Sequence, residues 1–123
     1  MDHAPKFLET VLKSKSKVKE ITVDSVALML ERNEKLVLVD VREDSEWDKS
    51  HLKNAIHLGK GVIERDIEKA IPDFAARIVL YCGGGFRSAL AADAIQQMGY
   101  TDVFSLEGGF KAWCNKNLPM GKS

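Results

Sequence analysis

Residues 78–88 read IVLYCGGGFRS: an apolar run, a cysteine, three glycines, an aromatic residue, an arginine and a serine. A run that is apolar at successive positions indicates a strand buried on both faces, which is typical of a parallel sheet covered by helices. The glycines indicate a tight turn after that strand, because glycine adopts backbone conformations that strain other residues. We therefore expect a strand over 78–81, a loop, and a helix over 88–98.

The same alternation of strand and helix extends along the rest of the chain. An amphipathic helix over 5–12, with Pro5 in its first turn, precedes a lysine-rich connector. The further predicted elements are strands over 18–22, 36–41, 55–58 and 103–106, a helix capped by Thr22 or Asp24 and running through Arg32, and helices over 62–71 and 108–115. This order predicts an α/β fold: a central parallel sheet of about five strands with helices on both faces.

Length and composition set the class of protein. The 123 residues are enough for one domain, which we place at 18–120 behind an N-terminal helix and connector over 1–17. Basic and acidic residues balance at 18 each, which argues against a nucleic-acid partner bound through a basic excess. We also expect no membrane partner, because no apolar run approaches the length of a span. No secretory leader is recognised and the two cysteines make no disulfide framework, so we expect a cytoplasmic protein.

The loop after the strand over 78–81 carries the chemistry. Ligands of such folds lie beyond the carboxyl ends of the strands, and Cys82 stands at one of these ends. Consecutive amides of Gly83, Gly84 and Gly85, the N-terminus of the next helix and the charge of Arg87 together favour a bound anion. The same field stabilises a cysteine thiolate, which is the nucleophilic form. The alternative is a glycine-rich turn beside an inert buried cysteine.

Two common nucleotide motifs do not fit this loop. A P-loop needs Gly-Lys followed by serine or threonine, and a dinucleotide fingerprint needs G-x-G-x-x-G. Neither spacing occurs in residues 82–88. The histidines also show no metal-ligand spacing with either cysteine, so we expect no metal site.

Four short motifs punctuate the chain: LVDVR at 38–42 followed by Glu46-Trp47, SHLKNAI at 50–56, CGGGFR at 82–87, and LEGGFKAW at 106–113. From about Val18 to Met120 the sequence resembles a single-domain rhodanese, a sulfurtransferase. The second motif departs from the family's usual Gly-His-Ile-Pro-Gly-Ala at four positions, which concern turn geometry and not the chemistry.

The resemblance implies a reaction and its residues. The thiolate of Cys82 attacks the outer sulfur of a donor such as thiosulfate, sulfite leaves, and Cys82 carries a persulfide. Cyanide, a thiol or a protein acceptor then takes the sulfur, and no metal or organic cofactor takes part. Asp40 is implied to support the site, with a purely structural role as the alternative. The residues implied to bind the substrate form one run: Gly83, Gly84, Gly85, Phe86, Arg87 and Ser88.

Loop length separates the relatives that share this fold. The resemblance implies six residues from cysteine through arginine in sulfurtransferases and seven in the related phosphatases and arsenate reductases. Cys82 through Arg87 makes six, which favours sulfur as cargo. The two alternatives left open are a persulfide carrier or sensor for a protein partner, and an arsenate reductase or phosphatase.

Other residues are given structural roles. We expect Arg42 and Glu46, four apart, to pair on a surface helix. Trp47, Phe110 and Trp113 are predicted to lie in the core. His51 is predicted to be a hydrogen-bonded structural histidine, and Lys60, Glu64 and Arg65 a solvated helix face. Cys114 is predicted to be a packed cysteine, with resolution of an oxidised Cys82 as the alternative.

Overall fold

A computed structural model describes residues 3–121 and contains an α/β fold. Its strands, in chain order, are β1 Lys19–Ile21, β2 Val37–Asp40, β3 His51–Leu52, β4 Ile56–His57, β5 Arg77–Tyr81, β6 Asp102–Leu106 and β7 Met120–Gly121. Its helices are α1 Pro5–Lys15, α2 Val23–Glu31, α3 Asp44–Lys49, α4 Ile63–Ala70, α5 Phe86–Gln97 and α6 Gly109–Asn115.

The central sheet has five strands in the order β1-β6-β5-β2-β4, and every neighbouring pair is parallel. Successive residues of β2 face opposite sides: Leu38 packs in a core cluster with α2 and α6, and Val39 in a cluster with α4 and α5. Helices therefore cover both faces. The predicted five-stranded parallel sheet between helices is confirmed, and the continuous apolar character of β2 and β5 has the cause inferred from the sequence.

Three details of the elements differ from the prediction. Helix α3 was not predicted, because it is short and charged and has no apolar period; its N-terminus is closed by a reciprocal capping box between Glu43 and Glu46. The two-residue strands β3 and β7, which form a separate antiparallel pair, were also missed. Helix α5 begins at Phe86 and not at Ser88, because Gly85 adopts a φ of +101° and forms its N-cap.

Helix α1 packs against α5 at the start of the chain. Ser14 donates to Asp93 at 3.0 Å, and the side-chain amide of Gln96 donates to the carbonyl of Lys17 at 3.0 Å. Residues 1 and 2 of the predicted N-terminal segment lie outside the described residues, and the division at 17/18 stays a prediction. Among residues 3–121, no helix combines the length and the apolarity needed to cross a bilayer.

Candidate active site

The loop of residues 82–88, here called the cysteine loop, is held by the N-terminus of α6. The amide of Phe110 donates to the carbonyl of Cys82 at 2.7 Å, and that of Lys111 to the carbonyl of Gly83 at 3.1 Å. Gly109 has a φ of +54°, and a Cβ there would overlap the carbonyl oxygen of Cys82. The approach of helix to loop therefore requires glycine at 109, which explains the second glycine of the last motif.

The backbone of the cysteine loop directs one amide at the cysteine sulfur and leaves its other amides without a protein acceptor. The amide of Gly85 donates to Sγ of Cys82 at 3.1 Å. Because the carbonyls of Cys82 and Gly83 point at α6, the N–H groups on the same planar trans peptides point away from α6. Within residues 3–121, no protein group accepts a hydrogen bond from the other amides of the loop, those of Gly83, Gly84, Phe86, Arg87 and Ser88. These donors remain available to a ligand.

Two buried serines lie next to the sulfur. Sγ of Cys82 is 3.6 Å from Oγ of Ser88, within hydrogen-bond range for sulfur, and Oγ of Ser88 is 2.8 Å from Oγ of Ser105. All three residues are buried. Ser88 was among the predicted site residues, whereas Ser105 was missed. The available signal was a hydroxyl inside the otherwise apolar strand over 103–106.

Arg87 is held by an acidic residue from α3. Its Nη1 lies 2.9 Å from Oε1 of Glu46 and its Nη2 lies 3.3 Å from Oε2. The hydrogen bond from Arg87 lowers the pKa of Glu46, and the same bond raises the pKa of Arg87. The predicted pairing of Glu46 with Arg42 is therefore wrong, and the charge of Arg87 is compensated by a carboxylate that also accepts from the Glu43 amide at 3.0 Å.

Arg42 pairs instead with Asp40, and both side chains are buried. Nη2 of Arg42 donates to Oδ2 of Asp40 at 2.8 Å and to the carbonyl of Ser50 at 2.7 Å, and its guanidinium lies 4.0 Å from the ring centre of Phe110. A hydrogen-bonded buried pair of this kind fixes side-chain geometry. Within residues 3–121, Asp40 forms no hydrogen bond or ion pair with the cysteine loop itself. Its side chain holds Arg42, and its backbone lies beside Tyr81, the residue before Cys82.

A cavity of about 740 Å³ opens above the cysteine loop. Cys82 lines it although its side chain is only 1% exposed. The cavity walls come from α1 and the segment before it, the segment between β2 and α3, α3, α6 and the cysteine loop. The lining residues besides Cys82 are His3, Phe7, Arg42, Glu46, Gly83, Gly84, Phe86, Arg87, Phe110, Lys111, Cys114 and Asn115. Within the described part of the chain, no three or more histidine, cysteine, aspartate or glutamate side chains lie close enough together to hold a metal ion.

The structure agrees with some of the remaining predicted roles and differs from others. Trp113 is buried in the core as expected, and His51 is buried with Nδ1 3.4 Å from the carbonyl of Trp47. Phe110 packs against the core as predicted and also lines the cavity, whereas Cys114 differs from the prediction. Cys114 is exposed and not packed, since α6 turns its outer face toward the opening.

Trp47 is half-buried rather than part of the core. Its ring stacks on His51 at 3.6 Å and on His57 at 5.0 Å between ring centres. The predicted solvated face is exposed and lies off the cavity: Lys60, Glu64 and Arg65.

The sequence is similar to a known domain family and to two named enzymes. The sequence model of the Rhodanese-like domain matches residues 22–116. Thiosulfate sulfurtransferase GlpE of Vibrio cholerae is 33% identical over 103 residues, covering 84% of this chain and 94% of the relative. The Haemophilus influenzae protein of the same name is 35% identical over 102 residues, covering 83% and 93%.

Two solved structures share the fold. One is a protein of unknown function from Rhodopseudomonas palustris, described as a possible tyrosine phosphatase, with a TM-score of 0.84 and 27% identity, covering 98% of this chain and 99% of that one. The other is the homodimeric polysulfide-sulfur transferase of Wolinella succinogenes, with a TM-score of 0.80 and 25% identity, covering 96% and 88%.

Proposed function

The chain belongs to the rhodanese-like domain family, and from this premise we propose that it is a sulfurtransferase in which Cys82 carries a sulfane sulfur from a donor such as thiosulfate to a thiophilic acceptor. One observation carries the proposal: the amide of Gly85 donates to Sγ of Cys82 at 3.1 Å, at a cavity wall where the neighbouring loop amides have no protein partner. This arrangement stabilises negative charge on sulfur through backbone hydrogen bonds.

The first half-reaction makes and breaks one bond each. The Cys82 thiolate attacks the outer sulfur of the donor, a bond forms between Sγ and that sulfur, and the donor's S–S bond breaks. For thiosulfate, the electron pair leaves with sulfite. The terminal sulfur of the resulting persulfide is anionic, and the loop amides stabilise it as oxyanion-hole donors stabilise oxygen. These donors include the amides of Gly83 and Gly84.

The second half-reaction returns the thiolate. A nucleophile attacks the terminal sulfur, takes it, and leaves the bonding pair on Sγ of Cys82. Cyanide would yield thiocyanate and a thiol would yield a new persulfide. The low exposure of Cys82 favours acceptors narrow enough to enter the cavity, and a protein acceptor would have to insert a side chain. We also propose a cytoplasmic site of action.

Phosphate-ester hydrolysis is the second candidate, because one structural relative is described as a possible tyrosine phosphatase. A phosphatase needs its arginine to bind the phosphoryl oxygens. Here both terminal nitrogens of Arg87 are paired with the carboxylate of Glu46, so neither is free to hold phosphoryl oxygens, whereas the proposed sulfur transfer relies on the loop amides. The contact favours sulfur transfer, and hydrolysis of para-nitrophenyl phosphate tests the alternative.

The deciding experiment measures thiocyanate formed from thiosulfate and cyanide. We expect turnover by the native chain, none by Cys82→Ser, and retained formation by Cys114→Ser, which removes the other thiol. Thiocyanate formation by Cys82→Ser would overturn the proposal. If Cys82 gains sulfur but turns over poorly with both cyanide and small thiols, the protein is a persulfide carrier rather than a thiosulfate-type enzyme.

A further inference from the structure

The cavity beside Cys82 is far larger than thiosulfate requires. Its volume of about 740 Å³ lies within the range of roughly 300 to 1,000 Å³ that holds organic ligands of drug size. Thiosulfate is a small tetrahedral ion that would occupy a minor part of it. The site of the proposed function therefore has room for a donor that carries a substantial organic group.

One side of this cavity is built from aromatic rings contributed by two separate parts of the chain. The ring of Phe86, in the cysteine loop, lies 4.6 Å from that of His3 and 6.4 Å from that of Phe7 between centres, and His3 and Phe7 are 5.4 Å apart. We call these three residues the aromatic wall. All three are half-buried and line the cavity, so part of each ring remains available to a ligand.

The charged side chains around the cavity are mostly paired with carboxylates. Arg42 is neutralised by Asp40, and Arg87 by Glu46. Within residues 3–121, Lys111 is the cavity residue whose positive charge forms no ion pair. The loop amides can therefore receive the anionic sulfur of a donor, while the rest of the cavity offers one unpaired cation and apolar rings, which suits a donor with an apolar body.

We propose that the preferred donor is an organic sulfane-sulfur compound, whose anionic sulfur reaches Cys82 while an apolar group of aromatic size lies against the aromatic wall. This inference rests on the proposed function. Arenethiosulfonates provide a matched probe. The Cys82 thiolate takes the outer sulfur of Ar–SO₂–S⁻, the S–S bond breaks, and its electron pair leaves with the arenesulfinate.

The test compares benzenethiosulfonate with methanethiosulfonate. The two donors have the same charge and the same transferred sulfur, and they differ in the organic group, phenyl or methyl. Initial rates with cyanide give kcat/KM for each donor, and each value is divided by the donor's rate with a free thiolate in solution. We expect the corrected ratio to favour the benzene compound by about tenfold or more, as a filled apolar pocket does. Phe7→Ala is expected to reduce that ratio at least threefold.

A matched variant distinguishes the loss of an aromatic-wall side chain from a weaker packing of α1. Val11→Ala also shortens a buried α1 side chain, but Val11 does not line the cavity, so its ratio should stay at the native value. If Phe7→Ala does not fold, as judged by circular dichroism, His3→Ala and Phe7→Leu provide the same comparison.

A corrected ratio within twofold of one in the native chain overturns the inference, and so does an equal fall in Phe7→Ala and Val11→Ala. In both cases sulfur still reaches Cys82 and the proposed function stands. If neither donor adds sulfur to Cys82, the proposed function fails and the inference fails with it.

Discussion

Oε1 of Glu46 lies 2.9 Å from Nη1 of Arg87, although 41 positions separate the two residues in the chain. The same carboxylate accepts from the Glu43 amide and thereby closes the N-terminus of α3. The geometry of the cysteine loop is therefore tied to helix α3, which follows a different strand, β2, in the chain. Glu46 acts on the site by fixing where the guanidinium of Arg87 points.

Replacing Glu46 by Gln should lower the free energy of unfolding by less than about 1 kcal/mol at pH 7, because the pair is partly exposed and screened by solvent. The hydrogen bond from Arg87 lowers the pKa of Glu46 below its unfolded value of about 4.3. Its contribution is thus fully present above that pH and is lost as the pH falls through the folded pKa.

Urea unfolding at a series of pH values tests this sign. The difference between the native chain and Glu46→Gln should stay constant from neutral pH to about pH 5 and shrink toward zero in more acid solution. Glu64→Gln is the control, since Glu64 is exposed and off the cavity. A difference that grows as the solution is acidified would contradict the ion pair.

Gly109→Ala should destabilise the fold by about 2 kcal/mol or more, because the added methyl group would overlap the Cys82 carbonyl at a left-handed backbone position. The cysteine loop must then move, so sulfur transfer should fall as well. Gly61→Ala is the control, since a Cβ there meets nothing within 4 Å. Equal urea midpoints for the two variants would refute the close approach.

Ser88→Ala should slow the addition of sulfur to Cys82 by roughly tenfold, because a hydrogen bond to a charged group contributes about 1.5 kcal/mol or more. Ser105 reaches the sulfur only through Ser88, so Ser105→Ala should slow the same step less. Single-turnover rates with thiosulfate measure both. A larger defect in Ser105→Ala than in Ser88→Ala would contradict the assignment of Ser88 as the hydroxyl next to the sulfur.

Asp40→Asn should lower the free energy of unfolding by about 3 kcal/mol, because it leaves the buried charge of Arg42 uncompensated. Asp40→Asn combined with Arg42→Met should be more stable than Asp40→Asn alone, since the unpaired charge is then gone. Urea unfolding of Asp40→Asn, Arg42→Met and the double variant completes the cycle. Additive losses would show that the two side chains are not coupled.

The sequence was sufficient for the sheet and the cysteine loop. Residues 36–41 and 78–81 are apolar at successive positions, a pattern that depends only on burial of both strand faces. The loop could be located because Cys82 follows the end of β5 and glycines follow Cys82. These features are local, so they can be recognised without knowing what packs against them.

Contacts between distant segments could not be predicted in the same way. The pair of Glu46 with Arg87 depends on where α3 lies, and α3 is formed by capping rather than by an apolar period. Local spacing favoured Arg42 as the partner of Glu46, but burial beside Asp40 decided the pairing. The aromatic wall is a further example. His3 lies next to Phe86 because α1 packs against α5, and no local sequence pattern indicates that packing.

Mass spectrometry of the intact chain after incubation with thiosulfate tests the central claim most directly. We predict a gain of the mass of one sulfur atom, mapped by peptide analysis to Cys82, absent from Cys82→Ser and removed by cyanide. An adduct on Cys114, or one that persists in Cys82→Ser, would contradict the assignment of Cys82 as the sulfur carrier.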